Sequence, residues 1–510
     1  LFRSYKKRIG NSNITLLGGY AFQKNRYDLS EGRNQVYNYD LSELDAGLNT
    51  PTVIGNANEN AYESFFGRLN YDYDGRYLFE ANIRYDASSR FGKDNRHGTF
   101  PSFSVGWNVA REKFMENVAA INTLKIRASW GQLGNDQIGN YNHIQTINLD
   151  QSYIFSNTIA SGAAVTALNN EKIKWETTTS KDLGIDLALF NSKLSLTADY
   201  YVRTGTDVLL AVPIAATLGN LTAPFQNFGK IENKGWEASI SYSNTIGKDF
   251  NFTVSANWTH NDNKVLKLDS QFISAEKVIT REGAPINSFY GYNILGIFQT
   301  DADAQNSAKY GVQPGGAQTR AGDYIWEDVN KDGIVDSKDR VIIGDPNIKN
   351  NYGFSLSMNY KGFDFRTVFQ GVLGRDVEKG VYGFDGRGNM NLTTDWLDRW
   401  TPTNTDTNVP RVARDYKYNT SLLVGPAISS AIVDGSYLRM KNIELGYSLP
   451  DVLLSKVGFS RIRLFVTAEN FLTFSKFTNG FDPEDARTFN NVNDSYPLAK
   501  TFTFGVNLSL

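Results

Sequence analysis

The chain has 510 residues, 41% of them hydrophobic, and a mean hydropathy of −0.39, with no apolar run long enough for a helical membrane span. An α-helical membrane protein is therefore excluded. The formal net charge of −2 gives no reason to expect nucleic acid as a partner, and the absence of cysteine excludes a disulfide framework, a thiolate metal site and a cysteine nucleophile.

Apolar and polar residues alternate in pairs of segments that tight turns connect. The first residues, 1–7, resemble the end of a strand, and the clearest alternation has leucine or isoleucine at every second position from 183 to 189 and resumes at Leu194. The same hairpin pattern recurs at residues 65–85, 236–258, 352–369 and 443–466, and a last strand is predicted at residues 502–510. A period of two places one apolar and one polar face on each strand. This pattern predicts an all-β fold, a transmembrane antiparallel β-barrel with about 14 recognisable strands in this chain.

Short and long connections alternate along the chain. Long segments rich in Gly, Asn and Asp are predicted at residues 25–60, 135–175, 205–227, 264–350, 374–435 and 473–497. Outer-membrane barrels have short periplasmic turns and long extracellular loops, so these segments are predicted to be extracellular. Because Leu1 is not a start methionine and no signal-like segment follows it, we expect either the C-terminal piece of a longer protein or a smaller barrel whose signal peptide has been removed.

One motif, in residues 328–339, has the spacing of a calcium-binding loop. Its oxygen ligands would be Asp328, Asn330, Asp332, the carbonyl of Ile334, Asp336 and Asp339, with glycine at the sixth position. Asp339 stands where such loops prefer a bidentate glutamate. The sequence therefore predicts bound Ca²⁺ that stiffens the loop, and the alternative is a polar loop that uses Asp, Asn and Gly for turns.

Catalytic motifs are poorly represented. His97, His143 and His260 are the three histidines, and no phosphate-binding glycine loop or zinc-spaced cluster is present, so we expect a protein that is not an enzyme.

Four aromatic residues of the longest predicted loop are candidates to stack on sugar rings, with loop packing as the alternative: Tyr290, Tyr292, Tyr324 and Trp326.

Several segments, in chain order, resemble SusC/RagA-type TonB-dependent outer-membrane transporters. They are YDASSRFG (85–92), GTFPS (98–102), LKIRASWGQLGN (124–135), WETTTSKDLGID (175–186), NKGWE (233–237), WLDRWTP (396–402), SYLRMKNIELGYSLP (436–450), AENFLTF (468–474) and GFDPE (480–484). The resemblance covers essentially the whole chain.

The resemblance implies a barrel of about 22 strands, to which residues 1–510 contribute the C-terminal portion without the plug and the N-terminal domains. It implies active import of oligosaccharides or peptides across the outer membrane of a Gram-negative, Bacteroidetes-type bacterium. The implied partners are a SusD-like surface lipoprotein, the TonB complex and outer-membrane lipids. Asp482 and Glu484 would then lie in an extracellular loop as substrate-contacting or structural residues. The alternatives are a passive porin of about 14 strands and an outer-membrane protease or lipase.

Overall fold

Two compact units make up the chain. The computed structural model describes residues 1–34, 43–47, 50–212, 214–219, 221–268, 272–274, 277–310, 319–378, 394–412, 427–454, 458–477, 482–484 and 498–509. The first unit comprises Leu1–Lys113, Ile126–Leu183 and Arg203–Ile231, and the second comprises Phe114–Lys125, Gly184–Val202 and Glu232–Leu510. None of the helices in these described ranges combines the length and the apolar composition of a membrane span.

Strands dominate the first half of the chain. They are β1 Phe2–Ile9, β2 Ser12–Arg33, β3 Thr52–Tyr73, β4 Tyr77–Ser88, β5 His97–Asn108, β6 Ile121–Asn135, β7 Asn148–Phe155, β8 Thr158–Ala164, β9 Glu176–Leu189, β10 Leu194–Thr206, β11 Leu209–Ala211, β12 Phe225–Asn227, β13 Lys230–Ile246 and β14 Phe250–Lys267. Short 3-10 turns lie at Leu44–Ala46, Val109–Arg111, Lys113–Met115 and Ala216–Leu218.

The described part of the second half contains two short helices, α1 Asp301–Asn306 and α2 Asp451–Leu454, in addition to further strands. The strands are β15 Phe272–Ser274, β16 Val278–Thr280, β17 Ser288–Tyr292, β18 Ile294–Ile297, β19 Lys309–Tyr310, β20 Tyr324–Trp326, β21 Ile334–Val335, β22 Val341–Gly344, β23 Asn350–Tyr360, β24 Phe363–Leu373, β25 Asp376–Glu378, β26 Ala427–Ile428, β27 Ile432–Asp434, β28 Tyr437–Ser448, β29 Arg461–Glu469, β30 Thr473–Ser475 and β31 Thr501–Ser509. Among the described residues of this half, 3-10 turns lie at Ser337–Asp339, Thr394–Asp398 and Ser429–Ala431.

Long strands form antiparallel ladders in both units. Within the first unit the order is β1-β2-β3-β4-β5-β6, and within the second it is β13-β14-β23-β24-β28-β29-β31, with β30 against β28. The predicted hairpins at 65–85, 183–203, 236–258, 352–369 and 443–466 are therefore confirmed as strand pairs. The predicted end of the last strand at Leu510 lies outside the described residues.

The expectation of a loop over residues 25–60 is wrong for residues 25–33 and 52–60, and residues 35–42 and 48–49 lie outside the described residues. β2 and β3 are paired along their whole length, from Ser12 opposite Tyr73 to Arg33 opposite Thr52. Each strand has 22 residues, about twice the length that crosses a bilayer. The Asn- and Gly-rich composition suggested a loop, but backbone pairing needs no apolar side chains, so the ladder continues beyond the apolar segment.

The short turn between β3 and β4 follows from its sequence. Asp74 and Gly75 both have positive φ, 56° and 64°, and the N–H of Arg76 donates to the carbonyl oxygen of Tyr73 at 2.9 Å. Two successive positive φ angles match the right-handed twist of the flanking strands, and an Asp-Gly pair adopts them readily. This turn lets Tyr73 and Tyr77 pair directly across the hairpin.

One face of the long strands carries exposed apolar side chains. Ile83 is 53% exposed, Leu445 53% and Phe504 71%, although these residues occupy regular strands. Aromatic rings contact one another across the strands, for example Trp258 and Tyr352 at 5.5 Å between ring centroids. A row of exposed apolar side chains on a ladder is the outer surface that a lipid-facing strand requires.

Part of the longest predicted loop is a folded structure in the second unit. We call the described residues 272–274, 277–310, 319–344, 394–412 and 427–434 the loop domain. A five-stranded sheet has the order β15-β16-β17-β22, with β26 parallel to β17. The loop domain has a buried core: Tyr292, Ile297, Tyr324, Val335, Trp400, Ile428 and Ala431. The composition rich in Gly, Asn and Asp therefore concealed a small apolar core assembled from distant segments.

Candidate functional site

Part of the polar face of the second unit, on β13, β14 and β23, carries uncharged hydroxyl and amide groups. Ser241 and Ser255 share a hydrogen bond of 2.8 Å, and Ser243 and Thr253 share one of 2.9 Å across the β13-β14 ladder. A cavity of about 280 Å³ nearby is lined by Ser239, Ser241, Ser255, Asn257 and Ser355 among others. These groups can exchange hydrogen bonds with a polar solute without the cost of desolvating a charge.

The loop domain contains a larger cavity, of about 410 Å³. Ile294, Ile297 and Val409 supply apolar lining, and Asp395 and Ser430 supply polar groups. A volume of this size holds a small ligand or one residue of a polymer. The cavity is therefore a candidate ligand-contacting site on the side of the long connections.

The candidate aromatic residues do not form one exposed platform. Tyr292 and Tyr324 are both 4% exposed and belong to the core of the loop domain, and burial raises the pKa of Tyr324. Trp326 packs edge-on against Tyr292, with 5.5 Å between ring centroids. Burial of Tyr292 and Tyr324 favours the loop-packing alternative for these two rings, although Tyr324 also lines the cavity of about 410 Å³. Sugar stacking by the four aromatic residues stays a prediction, and Tyr290 and Trp326 are the partly exposed ones.

Asp482 and Glu484 belong to a charged cluster at the end of β28. The guanidinium of Arg439 donates to Asp482 at 2.6 Å and to Glu484 at 2.7 Å, and the ammonium of Lys441 lies 2.8 Å from Glu484. Arg439 and Asp482 are buried, whereas Lys441 and Glu484 are partly exposed. For Asp482 and Glu484 we predicted either a structural role or contact with the substrate, and the structural role accounts for these ion pairs. Substrate contact by the two carboxylates stays a prediction.

The Asp-rich loop is closed by its own hydrogen bonds. Asp328 accepts from the N–H of Gly333 at 2.8 Å, and Gly333 has φ +84°, as the sixth position of the motif requires. Asp339 is fully buried and accepts from the N–H groups of Val329 at 2.9 Å and Asp336 at 2.8 Å. Within the described residues, no group of three or more His, Cys, Asp or Glu side chains is arranged to hold a metal ion. The hydrogen bonds of the loop agree with the polar-loop alternative.

Calcium binding by this loop stays a prediction, and it is tested by thermal unfolding. If Ca²⁺ binds only the folded loop, added CaCl₂ raises the unfolding temperature of the purified protein, and excess chelator reverses the rise. The Asp328→Asn and Asp332→Asn changes should abolish this response, because each removes a negative oxygen ligand. A rise of the same size in these variants would contradict calcium binding at this loop.

Asp339 is expected to be the main determinant of the order of the loop. Replacement by alanine leaves the N–H groups of Val329, Asn330 and Asp336 without their side-chain acceptor, at an expected cost of about 2–4 kcal/mol. Hydrogen exchange of the amides in residues 328–339 measures the effect. Lys338→Ala is the matched control, because Lys338 is exposed. Equal exchange in the two variants would contradict this role.

The sequence did not lead us to predict two groups of charged residues that the structure brings together. Arg439 and Lys441 alternate on β28 and face the two carboxylates, and Lys277 forms a buried ion pair of 2.7 Å with Glu378. Burial raises the pKa of Glu378, although the neighbouring ammonium opposes the rise. The alternation in the RMK segment is the signal that could have indicated the first group. Nothing local indicates the second, whose partners are about a hundred residues apart.

Comparison with known proteins gives a consistent result. Residues 2–289 match the family described as TonB dependent receptor-like, beta-barrel. A TonB-dependent receptor of Formosa agariphila is 36% identical over 99% of this chain and 51% of its own length. TonB-dependent receptor SusC of Bacteroides thetaiotaomicron is 29% identical over 100% of this chain and 49% of its own length.

Comparison with solved structures points to the same group of proteins. The structure of the RagAB peptide transporter is similar with a TM-score of 0.84 and 27% identity, covering 100% of this chain and 55% of that chain. The chain thus spans about half the length of the relatives it matches. The predicted β-barrel fold, outer-membrane location and resemblance to SusC/RagA-type receptors are confirmed. The chain belongs to the TonB-dependent receptor-like β-barrel family of the outer membrane.

Proposed function

We propose that the chain is part of an active importer that carries oligosaccharides or peptides across the outer membrane with energy delivered through TonB. The observation that carries the proposal is similarity over the whole chain to SusC and to the RagAB peptide transporter. The serine and threonine side chains between β13 and β14, together with Asn257 and Ser355, support it, because hydroxyl and amide groups can exchange hydrogen bonds with a passing polar nutrient.

The proposed partners are a SusD-like surface lipoprotein and the TonB complex. The support for the lipoprotein is the similarity to SusC, together with the folded loop domain, which offers a pre-ordered surface for a partner. The roughly 410 Å³ cavity in the loop domain and the partly exposed Tyr290 and Trp326 are the proposed first contacts for the nutrient.

Uptake by cells that lack and then regain the gene tests this proposal. Loss of the gene should abolish uptake of labelled oligosaccharides or of labelled peptides, and the native gene should restore it. Dissipating the proton gradient or deleting TonB should stop the restored uptake. Uptake that continues without the gradient would favour the passive porin.

Purification of the native protein from outer membranes tests the partner. A surface lipoprotein that remains bound in mild detergent at a constant ratio supports the proposed pair. A protein that purifies alone under the same conditions, while uptake remains TonB-dependent, would contradict the lipoprotein partner and leave active import standing. The two parts of the proposal can therefore fail separately.

A further inference from the structure

An apolar groove lies on the outer face of the first unit, beside the short turn between β3 and β4. It encloses about 410 Å³ and is lined mainly by Tyr71, Tyr77, Phe79, Val105, Trp107 and Ile126, and carbon atoms make up nearly all of its lining. Val105 is 53% exposed and Trp107 39% exposed, so the groove opens outward. Ala128 on β6 also lines the groove, and its small side chain leaves room between its larger neighbours.

Hydrogen bonds hold two aromatic walls of the groove in place. The phenol of Tyr77 donates to the carboxylate of Glu112 at 2.7 Å, and the indole N–H of Trp107 donates to the same oxygen at 3.0 Å. Glu112 is 9% exposed and also lies 3.6 Å from the guanidinium of Arg76. The groove is therefore pre-organised, because its walls do not have to be ordered when a ligand enters.

The groove lies at the end of the strands where cations are exposed. The side chain of Arg111 packs over Gly75 in the β3-β4 turn, and Lys113 follows two residues later; both side chains are exposed. Asp74 in the same turn pairs with Arg76 at 3.0 Å and is itself partly exposed. An apolar groove next to exposed cations matches a molecule that joins a hydrocarbon chain to a phosphate.

The membrane leaflet in which the groove lies indicates which class of lipid it can bind. Short turns of outer-membrane barrels lie on the periplasmic side, where the membrane leaflet consists of phospholipid. Tyr and Trp rings occur at this interface, with their polar ends toward the headgroups. We propose that the groove binds one glycerophospholipid, with an acyl chain against Trp107, Ile126 and Ala128 and its phosphate at Arg111 and Lys113.

Native mass spectrometry of the full protein, purified from outer membranes in mild detergent, tests this site. After removal of loosely bound lipid, phosphatidylethanolamine or phosphatidylglycerol is added back in separate arms. The wild type should retain one phospholipid in at least one arm. Ala128→Phe fills the groove and should lower the retained fraction about tenfold.

Two further variants separate a site from ordinary contact with the bilayer. Ala238→Phe, on the apolar face of β13 in the second unit, should retain lipid like the wild type. The Arg111→Ala/Lys113→Ala double variant should lower retention about fivefold, and less so at high salt, because the phosphate loses its cations. Thermal unfolding checks that each variant is folded.

Unchanged retention in Ala128→Phe would mean non-specific bilayer lipid and would overturn the site. A loss in Ala128→Phe without any loss in the double variant would overturn the placement of the phosphate. Preference for phosphatidylethanolamine would indicate that Asp74 contacts the ammonium, and preference for phosphatidylglycerol would indicate that the cations dominate. Either preference supports the site.

Discussion

Replacement of Arg439 by alanine is expected to destabilise the end of β28 by about 3–5 kcal/mol, because it leaves Asp482 buried without a cation. The guanidinium bridges Asp482 and Glu484, and its Nε donates to Thr473 on β30 at 3.0 Å. Asp482 in turn accepts from the N–H of Leu498, three residues before β31. The loss of one side chain should therefore loosen β30 and the start of β31.

Hydrogen exchange of β28, β30 and β31, together with the unfolding temperature of the purified protein, measures this effect. Lys441→Ala is the matched control, because it removes only a partly exposed contact to Glu484 and should cost less than about 1 kcal/mol. If Arg439→Ala and Lys441→Ala behave alike, the buried pair does not anchor this segment. The Lys441→Ala variant also tests Glu484 as a substrate contact. It removes a cation that pairs with Glu484 at little cost in stability, so a change in uptake would reflect the altered carboxylate.

Replacement of Gly291 by alanine should disrupt the loop domain, at a cost of about 3 kcal/mol or more. Gly291 lies opposite Ala427 in the parallel pair of β17 and β26. A methyl group at this position would fall well inside van der Waals contact of the carbonyl group of Ala427. The strands must separate to accommodate it, and Ile428 and Ala431 then leave the buried core.

Faster hydrogen exchange in residues 427–434 and a lower unfolding temperature are the expected results. Gly55→Ala is the matched control: Gly55 lies in β3, and a methyl group there would meet no atom within 4 Å. This control should leave both measurements unchanged. Equal behaviour of the two variants would show that the parallel pair is not needed for the loop domain to remain folded.

The hairpins follow from local sequence because strand alternation and turn chemistry act over a few residues. Every second residue from 183 to 189 is leucine or isoleucine, and the structure places β9 and β10 on either side of residues 190–193. The Asp74-Gly75 turn likewise depends on the φ angles that two neighbouring residues can adopt. The Asn- and Gly-rich composition gave the wrong expectation where the ladder continues into polar residues, as in β2 and β3, and it concealed the core of the loop domain.

The candidate site depended on contacts between distant residues. Arg439 and Asp482 are 43 residues apart, and Lys277 and Glu378 are 101 apart. The alternation in the RMK segment places Arg439 and Lys441 on one face of β28, but it does not identify their partners, because a charged side chain on a strand has the same alternation whether its partner is water or a carboxylate. The aromatic residues illustrate the same difficulty, since Tyr292 and Tyr324 are buried by segments that only the folded chain brings together.

The sequence by itself determined the β-hairpins, the division into an apolar and a polar face, and the resemblance to SusC/RagA-type receptors. These properties depend on periodicity, turn residues and motif order, all of which are local or linear. The tertiary structure decided the extent of the β2-β3 ladder, the loop domain, the Arg439 cluster and the groove beside Trp107. Each of these requires side chains from different strands or loops to converge, and that convergence is set by packing across the whole fold.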